Sequence, residues 1–273
     1  MHAGWADEAL KRIEAGEPTA LITLTRVQGS APREAGVKML VWLDGQSGTI
    51  GGGNLEFMLT RDARALLAGE ARACEREYPL GPILGQCCGG RVTARIERLG
   101  PGDEAWLERA ARAEAAAMAP LYLFGAGHVG QAVARALAPL PFRLRWFDTR
   151  AEFCAEARLT NDPREEAVRA PAGAFFLVLT HNHDLDYEIV RTVLARRDAT
   201  YCGLIGSKSK RARFARQLRE DGLGQELHKL TCPIGGAVGL KGKAPAVIAA
   251  ATAAELLLAL EARAQAREFA HAE

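Results

Sequence analysis

Two adjacent thiols, Cys87 and Cys88, are followed at once by Gly89 and Gly90. Neighbouring Cα atoms lie about 3.8 Å apart, short of the roughly 4.4–6.8 Å that a disulfide spans, so the two cysteines are poor partners for each other. A free thiolate is a soft metal ligand and can carry sulfur as a persulfide. The glycines permit φ > 0 and let backbone amides turn toward a bound group. The plainer alternative is a turn with two buried thiols, since unpaired cysteine is often buried.

Three further clusters offer chemistry. Gly51, Gly52 and Gly53 lead into a helical pattern, and Arg33 ends the loop Gly29-Ser30-Ala31-Pro32-Arg33. Glycines at a helix N-terminus expose N–H groups that bind phosphate, and arginine prefers planar, bidentate oxyanions. A single strand pattern separates the two, so they can converge; a ligand-free turn and a surface arginine are the bland alternatives. Farther on, Gly125, Gly127 and Gly130 form GxGxxG between a strand pattern and a helix pattern, with Asp148 closing the next strand. That context predicts Gly125 for the tight turn, Gly127 for approach of a pyrophosphate, Gly130 for helix–strand packing and Asp148 for ribose hydroxyls. Arg150 blurs the choice between NAD and NADP.

The third cluster is a pair of loops. His181 and His183 sit in Thr180-His-Asn-His-Asp184, and Ser207 opens Ser207-Lys-Ser-Lys-Arg211. Both follow strand patterns, at the ends where open α/β sheets bind ligands. The histidines suit metal binding, acid–base work or a ligand crevice; alternatively Asp184 or Asp186 caps a helix and the imidazoles are solvated. Lysines at a helix N-terminus oppose the macrodipole, a conflict that a bound anion would resolve; a solvated basic patch is the other reading. Cys232, in a second glycine-rich loop, is a weaker ligand candidate, and Cys154 and Cys202 read as packed thiols.

The elements that must position these groups fall into two modules. Residues 5–16 read as an amphipathic helix, 19–27 and 37–43 as strands, and 55–67 as a helix capped by Asn54. Residues 91–99 alternate, with Val92, Ala94 and Ile96 on one face. Pro101-Gly102-Asp103 marks a boundary, and an Ala/Glu/Arg-rich linker helix follows. Strand patterns at 120–124, 143–147, 174–179 and 200–205 then alternate with helices, and Pro245 starts a final helix near 246–265. The expectation is an α/β chain: an N-terminal α+β module over 1–100, a linker helix over 101–118, and a Rossmann-type doubly wound parallel-sheet domain over 119–273.

Bulk properties exclude several classes. Among 273 residues, 35 basic against 33 acidic give a formal charge of +2, which offers no bulk attraction to nucleic acid or an acidic membrane. The apolar run near the C-terminus is broken by Glu255 and reads as too short for a bilayer span. The N-terminal residues lack the basic and apolar regions of a signal peptide. Six cysteines show no disulfide framework and no CxxC pair. A reduced, cytoplasmic protein is expected.

Taken together, Gly29–Arg33, Gly48–Gly53 with Leu55-Glu56, Leu84–Gly90, Phe124–Gly130, Thr180–Asp184, Gly203–Ser207 and Cys232–Gly235 resemble the xanthine dehydrogenase accessory (XdhC/CoxI) family. The resemblance implies a carrier more than a catalyst. Such a protein binds molybdenum cofactor (molybdopterin), keeps it intact while its terminal sulfur is installed, and hands it to a molybdenum hydroxylase. Its implied partners are a xanthine dehydrogenase-type apoenzyme and a cysteine desulfurase; self-association into a homo-oligomer stays open. Cys87 or Cys88 would then hold the metal or carry sulfur, and Arg33 with the amides of Gly51–Gly53 would hold the phosphate. NAD(P) or another nucleotide is a possible second ligand of the Rossmann domain. Two positions depart from the family pattern: Asn182, where an aspartate is expected, and Lys243-Ala244-Pro245-Ala246, where a hydroxyl residue, proline and an acid are expected. The rival reading is an NAD(P)-dependent oxidoreductase with His181 or His183 as proton donor, which leaves the cysteine pair idle.

Overall fold

Alternation of apolar residues sets the first unit. The computed structural model describes residues 4–80 and 90–271, the last five by backbone alone. Its chain divides into residues 1–116 and 117–273. In the first unit, helix α1 (Trp5–Glu14) precedes strands β1 (Thr19–Gln28), β2 (Lys38–Trp42) and β3 (Gln46–Gly48). Helix α2 (Gly53–Ala68), strands β4 (Ala73–Pro79) and β5 (Arg91–Leu99), and helix α3 (Glu104–Ala117) complete it. The strands pair antiparallel in the order β3-β2-β1-β5-β4. Ala20, Ile22, Leu24, Met39, Val92, Ala94 and Ile96 face α2, where Leu55, Leu59 and Ala63 cover them. Leu21, Leu40 and Leu99 face the other way, against Ala6 and Ala9 of α1 and Leu107 of α3. Period-two strands thus bury both faces, and α3 packs onto this unit through Leu107.

The second unit is a parallel sheet wound on both sides. Its elements are β6 (Ala119–Phe124), α4 (His128–Leu137), β7 (Phe142–Asp148), β8 (Arg158–Leu159), α5 (Pro163–Val168) and β9 (Phe175–Val178). There follow α6 (His183–Ala195), β10 (Tyr201–Leu204), α7 (Lys208–Glu220), β11 (Leu230–Thr231) and α8 (Pro245–His271). The order β11-β10-β9-β6-β7-β8 reverses direction at β6, the arrangement of a Rossmann-like domain. Phe124, Phe176, Val178 and Leu204 face Ile189, Val193, Phe214 and Leu218 of α6 and α7. Leu121, Phe175 and Leu177 face Val133 and Leu137 of α4 and Ala249 and Leu256 of α8.

One expectation changes here. The C-terminal apolar run is not broken at Glu255: Pro245–Ala266 lies within one helix long and apolar enough by length and composition to cross a membrane. Glu255 is itself buried within it, and Ala249 and Leu256 belong to the sheet's core. The helix does start at Pro245, where the missing N–H costs nothing, and the Ala244 carbonyl accepts from Val247 and Ile248.

Phe175 is fully buried, edge-on to Phe142 and stacked on Tyr201, with centroids 5.6 and 6.3 Å away. Phe175→Ala is expected to lower the unfolding free energy by about 3–5 kcal/mol. Urea denaturation measures it, and a loss below about 1 kcal/mol would contradict this packing.

Candidate functional site

In the first unit, three loops meet at one end of the sheet. Gly51 has φ +118°, and a Cβ there would stand 2.6 Å from Pro32 Cβ and 3.3 Å from Arg33 Cγ. The glycine turn and the arginine loop therefore touch, as the sequence suggested. Gly90 is pressed against the same loop: a side chain there would overlap the Ser30 carbonyl. The Leu80 N–H donates to the Gly90 carbonyl at 2.8 Å, and Pro79 pairs with Arg91. Cys87 and Cys88 lie outside the described residues, between these two fixed ends. Arg33 is exposed and makes no hydrogen bond or ion pair among the described residues.

The glycine amides are already engaged. Glu56 Oε2 accepts from the Ile50 and Gly52 N–H groups, both at 3.1 Å, and from Thr49 Oγ1 at 2.6 Å. Its Oε1 accepts from Gln46 Nε2 at 2.8 Å, and the Gly51 N–H donates to Thr49 Oγ1. Burial pushes this carboxyl up, but the bonds from Thr49, Gln46, Gly52 and Ile50 outweigh it and hold its pKa below the ordinary value. This corrects two expectations. The Gly51 and Gly52 amides are already spent, the first on Thr49 Oγ1 and the second on Glu56 Oε2, and are not free for a phosphate. The N-cap of α2 is Gly52, not Asn54, since α2 already begins at Gly53. Glu56 was visible in the sequence as an acid in the first turn after a glycine run, a placement the helix dipole favours.

The second unit repeats this device. Gly125 has φ +118°, and a Cβ on it would overlap the Leu179 carbonyl; one on Gly130 would overlap the Gly125 carbonyl. A Cβ on Gly127 would meet nothing within 4 Å, so that position faces open space. Gly125 and Gly130 are thus demanded by close backbone approach. Asp148 does not take its expected role. Its Oδ2 accepts from the Ala126 N–H at 2.6 Å and Arg150 NH2 at 3.0 Å. Its Oδ1 accepts from the Arg150 N–H and Nε, at 2.9 and 3.0 Å. A carboxylate has about four lone-pair sites, so none is left for a ribose hydroxyl. Burial raises this carboxyl, yet the Arg150 and Ala126 bonds bring it below its ordinary value. Asp148 braces the glycine loop. Trp146 Nε1 and Gln131 Nε2 hold the loop from the other side, on the Gly125 and Ala126 carbonyls.

The third cluster forms a cleft of about 290 Å3 lined by Thr180, His181, His183, Ile205, Gly206, Ser207 and Lys210. Asn182, not Asp184 or Asp186, caps α6: its Oδ1 accepts from the Asp184 and Leu185 N–H groups. Asparagine and aspartate cap helices about equally well, which accounts for the departure from the family pattern there. Ser207 caps α7 by accepting from the Lys210 N–H at 3.2 Å. His181 and His183 are exposed, and no group of three or more His, Cys, Asp or Glu among the described residues is placed to hold a metal ion. Asp186, read from the sequence only as an alternative helix cap, is fully buried and accepts from Thr180 N–H, Thr180 Oγ1 and Lys210 Nζ. Burial pushes the Cys232 thiol up to about 11 and Cys202 up to about 12, so both are protonated at neutral pH.

An antiparallel α+β unit with a loop-built site, followed by a Rossmann-like unit whose glycine loop is closed by its own carboxylate, defines the class. Residues 12–79 match the XdhC and CoxI family, and residues 121–256 match the XdhC Rossmann domain. The chain is 30% identical over 266 residues to YqeB of Escherichia coli (strain K12), an uncharacterized protein. That alignment covers 92% of this chain but 45% of YqeB, so the chain spans less than half of that relative. A crystal structure from Bacillus halodurans, described as a xanthine dehydrogenase, superposes with a TM-score of 0.77 at 20% identity, over 93% of this chain and 96% of that one. At that identity the likeness is one of fold. The chain belongs to the XdhC and CoxI family.

Glu56 and Asp148 set an acid limit. A carboxyl whose folded pKa is depressed contributes stability in full above its unfolded value, near 4, and loses it as pH falls through the folded value. The unfolding free energy is expected to drop between about pH 5 and pH 3. Glu56→Gln, which cannot titrate, should lose less over that interval in urea titrations at the two pH values. An equal loss would remove Glu56 from the acid response.

Proposed function

We propose that this chain binds molybdenum cofactor as cargo, protects it during sulfuration, and delivers it to a xanthine dehydrogenase-type apoenzyme in the cytoplasm. A cysteine desulfurase would supply the sulfur. The observation that carries the reading is that the Gly51 turn and Gly90 both pack against the loop that holds Arg33, Gly51 on Pro32 and Arg33 and Gly90 on the Ser30 carbonyl.

The residues present fit such cargo at two ends. Arg33 offers a fork of N–H donors to the phosphate, a task the Gly51 and Gly52 amides do not share because Glu56 holds that turn. Cys87 or Cys88 supplies the soft donor for the metal, or the sulfur carrier. A Cβ on Gly52 would meet nothing within 4 Å, which leaves room beside the turn. The protein on this reading lowers no large chemical barrier; its work is differential affinity between holding and release.

Apo protein mixed anaerobically with isolated molybdenum cofactor, then desalted and assayed for molybdenum, tests this. Wild type should retain the metal, and Cys87→Ala or Cys88→Ala should not. Arg33→Ala should weaken retention on the order of tenfold, the worth of a charge-assisted contact. Equal retention by wild type and both cysteine variants would end the thiol assignment.

A further inference from the structure

The larger cleft of the second unit is not at its glycine loop. It opens where the loops after β9 and β10 face each other, and its volume of about 290 Å3 lies at the small end of ligand sites. Lys210 is the unusual group on its wall. Its side chain is 9% exposed, although a positive charge in the first turn of α7 opposes the helix dipole. Nζ donates to Asp186 Oδ2 and, at 3.0 Å, to the Ile205 carbonyl. An ammonium group has three donors, and no acceptor among the described residues takes the third. The Phe214 ring, 5.5 Å away, is a weak cation–π neighbour and not a hydrogen-bond acceptor at that range.

The surroundings keep that donor facing the cleft. Asp186 anchors the ammonium and has Thr180 on its other oxygen. A Cβ on Gly206 would come 2.7 Å from Lys210 Cδ and 3.2 Å from Cys232 Sγ, so only glycine leaves the lysine its path. Ser207 Oγ accepts from a backbone N–H and keeps its own proton to donate. His181 and His183 add imidazole donors. Asp184, in the first turn of α6 next to His183, is an exposed acid. Donors arriving from several directions match a tetrahedral oxyanion better than a planar carboxylate.

We infer that this cleft binds the phosphate of a small phosphate monoester through Lys210, Ser207 and the paired histidines. The inference does not rest on the cargo reading. Calorimetric titration of the full chain with inorganic phosphate, AMP and NAD+ tests it. AMP and phosphate should both saturate and compete with each other. Lys210→Met combined with Asp186→Asn removes both buried charges together and should weaken binding at least tenfold, with thermal unfolding as the check on folding. Should that variant not fold, Ser207→Ala and His183→Ala, at exposed positions, should each weaken binding several-fold. Phe57→Ala, at an exposed position of the first unit, should leave it unchanged. The proposal is overturned if neither phosphate nor AMP saturates by about 10 mM, well above ordinary affinities. It is also overturned if the folded variants bind as wild type does, or if NAD+ saturates where phosphate and AMP do not.

Discussion

Backbone N–H groups freed by a glycine turn must find an acceptor, and in both units a carboxylate of the chain itself supplies it. Glu56 takes the Ile50 and Gly52 amides; Asp148 takes the Ala126 amide. Each carboxylate is also tied to side chains, Thr49 and Gln46 in one case and Arg150 in the other. The turns are thereby fixed before any ligand arrives. Everything stacked on them inherits that order: Pro32 and Arg33 against Gly51, and Trp146 and Gln131 against the Gly125–Ala126 peptide.

An anion site that holds its own anion has less to offer a phosphate. On the two proposals above, recognition passes to cations with donors left over. Arg33 is one, exposed beside Gly51. Lys210 is another, nine-tenths buried beside the β9–β10 cleft with two of three donors engaged. The glycine fingerprint still shapes the second unit, because Gly125 and Gly130 are demanded by close backbone approach whether or not a dinucleotide binds.

The Lys210–Asp186 pair also has a structural side. Removing one member of a buried pair leaves an uncompensated charge, at a cost of about 3–5 kcal/mol, whereas removing both together can be nearly neutral. Asp186 lies on α6 and Lys210 on α7, and Asp186 also holds the Thr180 loop that follows β9. The same contact that joins two helices therefore sets the shape of the cleft, so binding and local stability are linked there.

Much of the fold was legible in the sequence. Alternation in Val92, Ala94 and Ile96 named the buried face of β5, and strand–glycine–helix order named the Rossmann-like unit, because side-chain period and turn chemistry are local properties. The meeting of Arg33 with Gly51 was also within reach, since one hairpin links them. What the sequence left undecided was which acceptor answers which donor. Asp148 read as a ribose contact and the Gly51–Gly53 amides as phosphate donors; only packing brought Arg150 and Ala126 onto the one, and Thr49 and Glu56 onto the Gly51 and Gly52 amides of the other. Asp186 and Lys210 lie on different helices and carry no shared motif. Their pairing exists because parallel β9 and β10 place the two loops side by side. Spacing along the chain determined where groups sit on their own element; the tertiary structure alone decided which hydrogen-bonding capacity remained unspent.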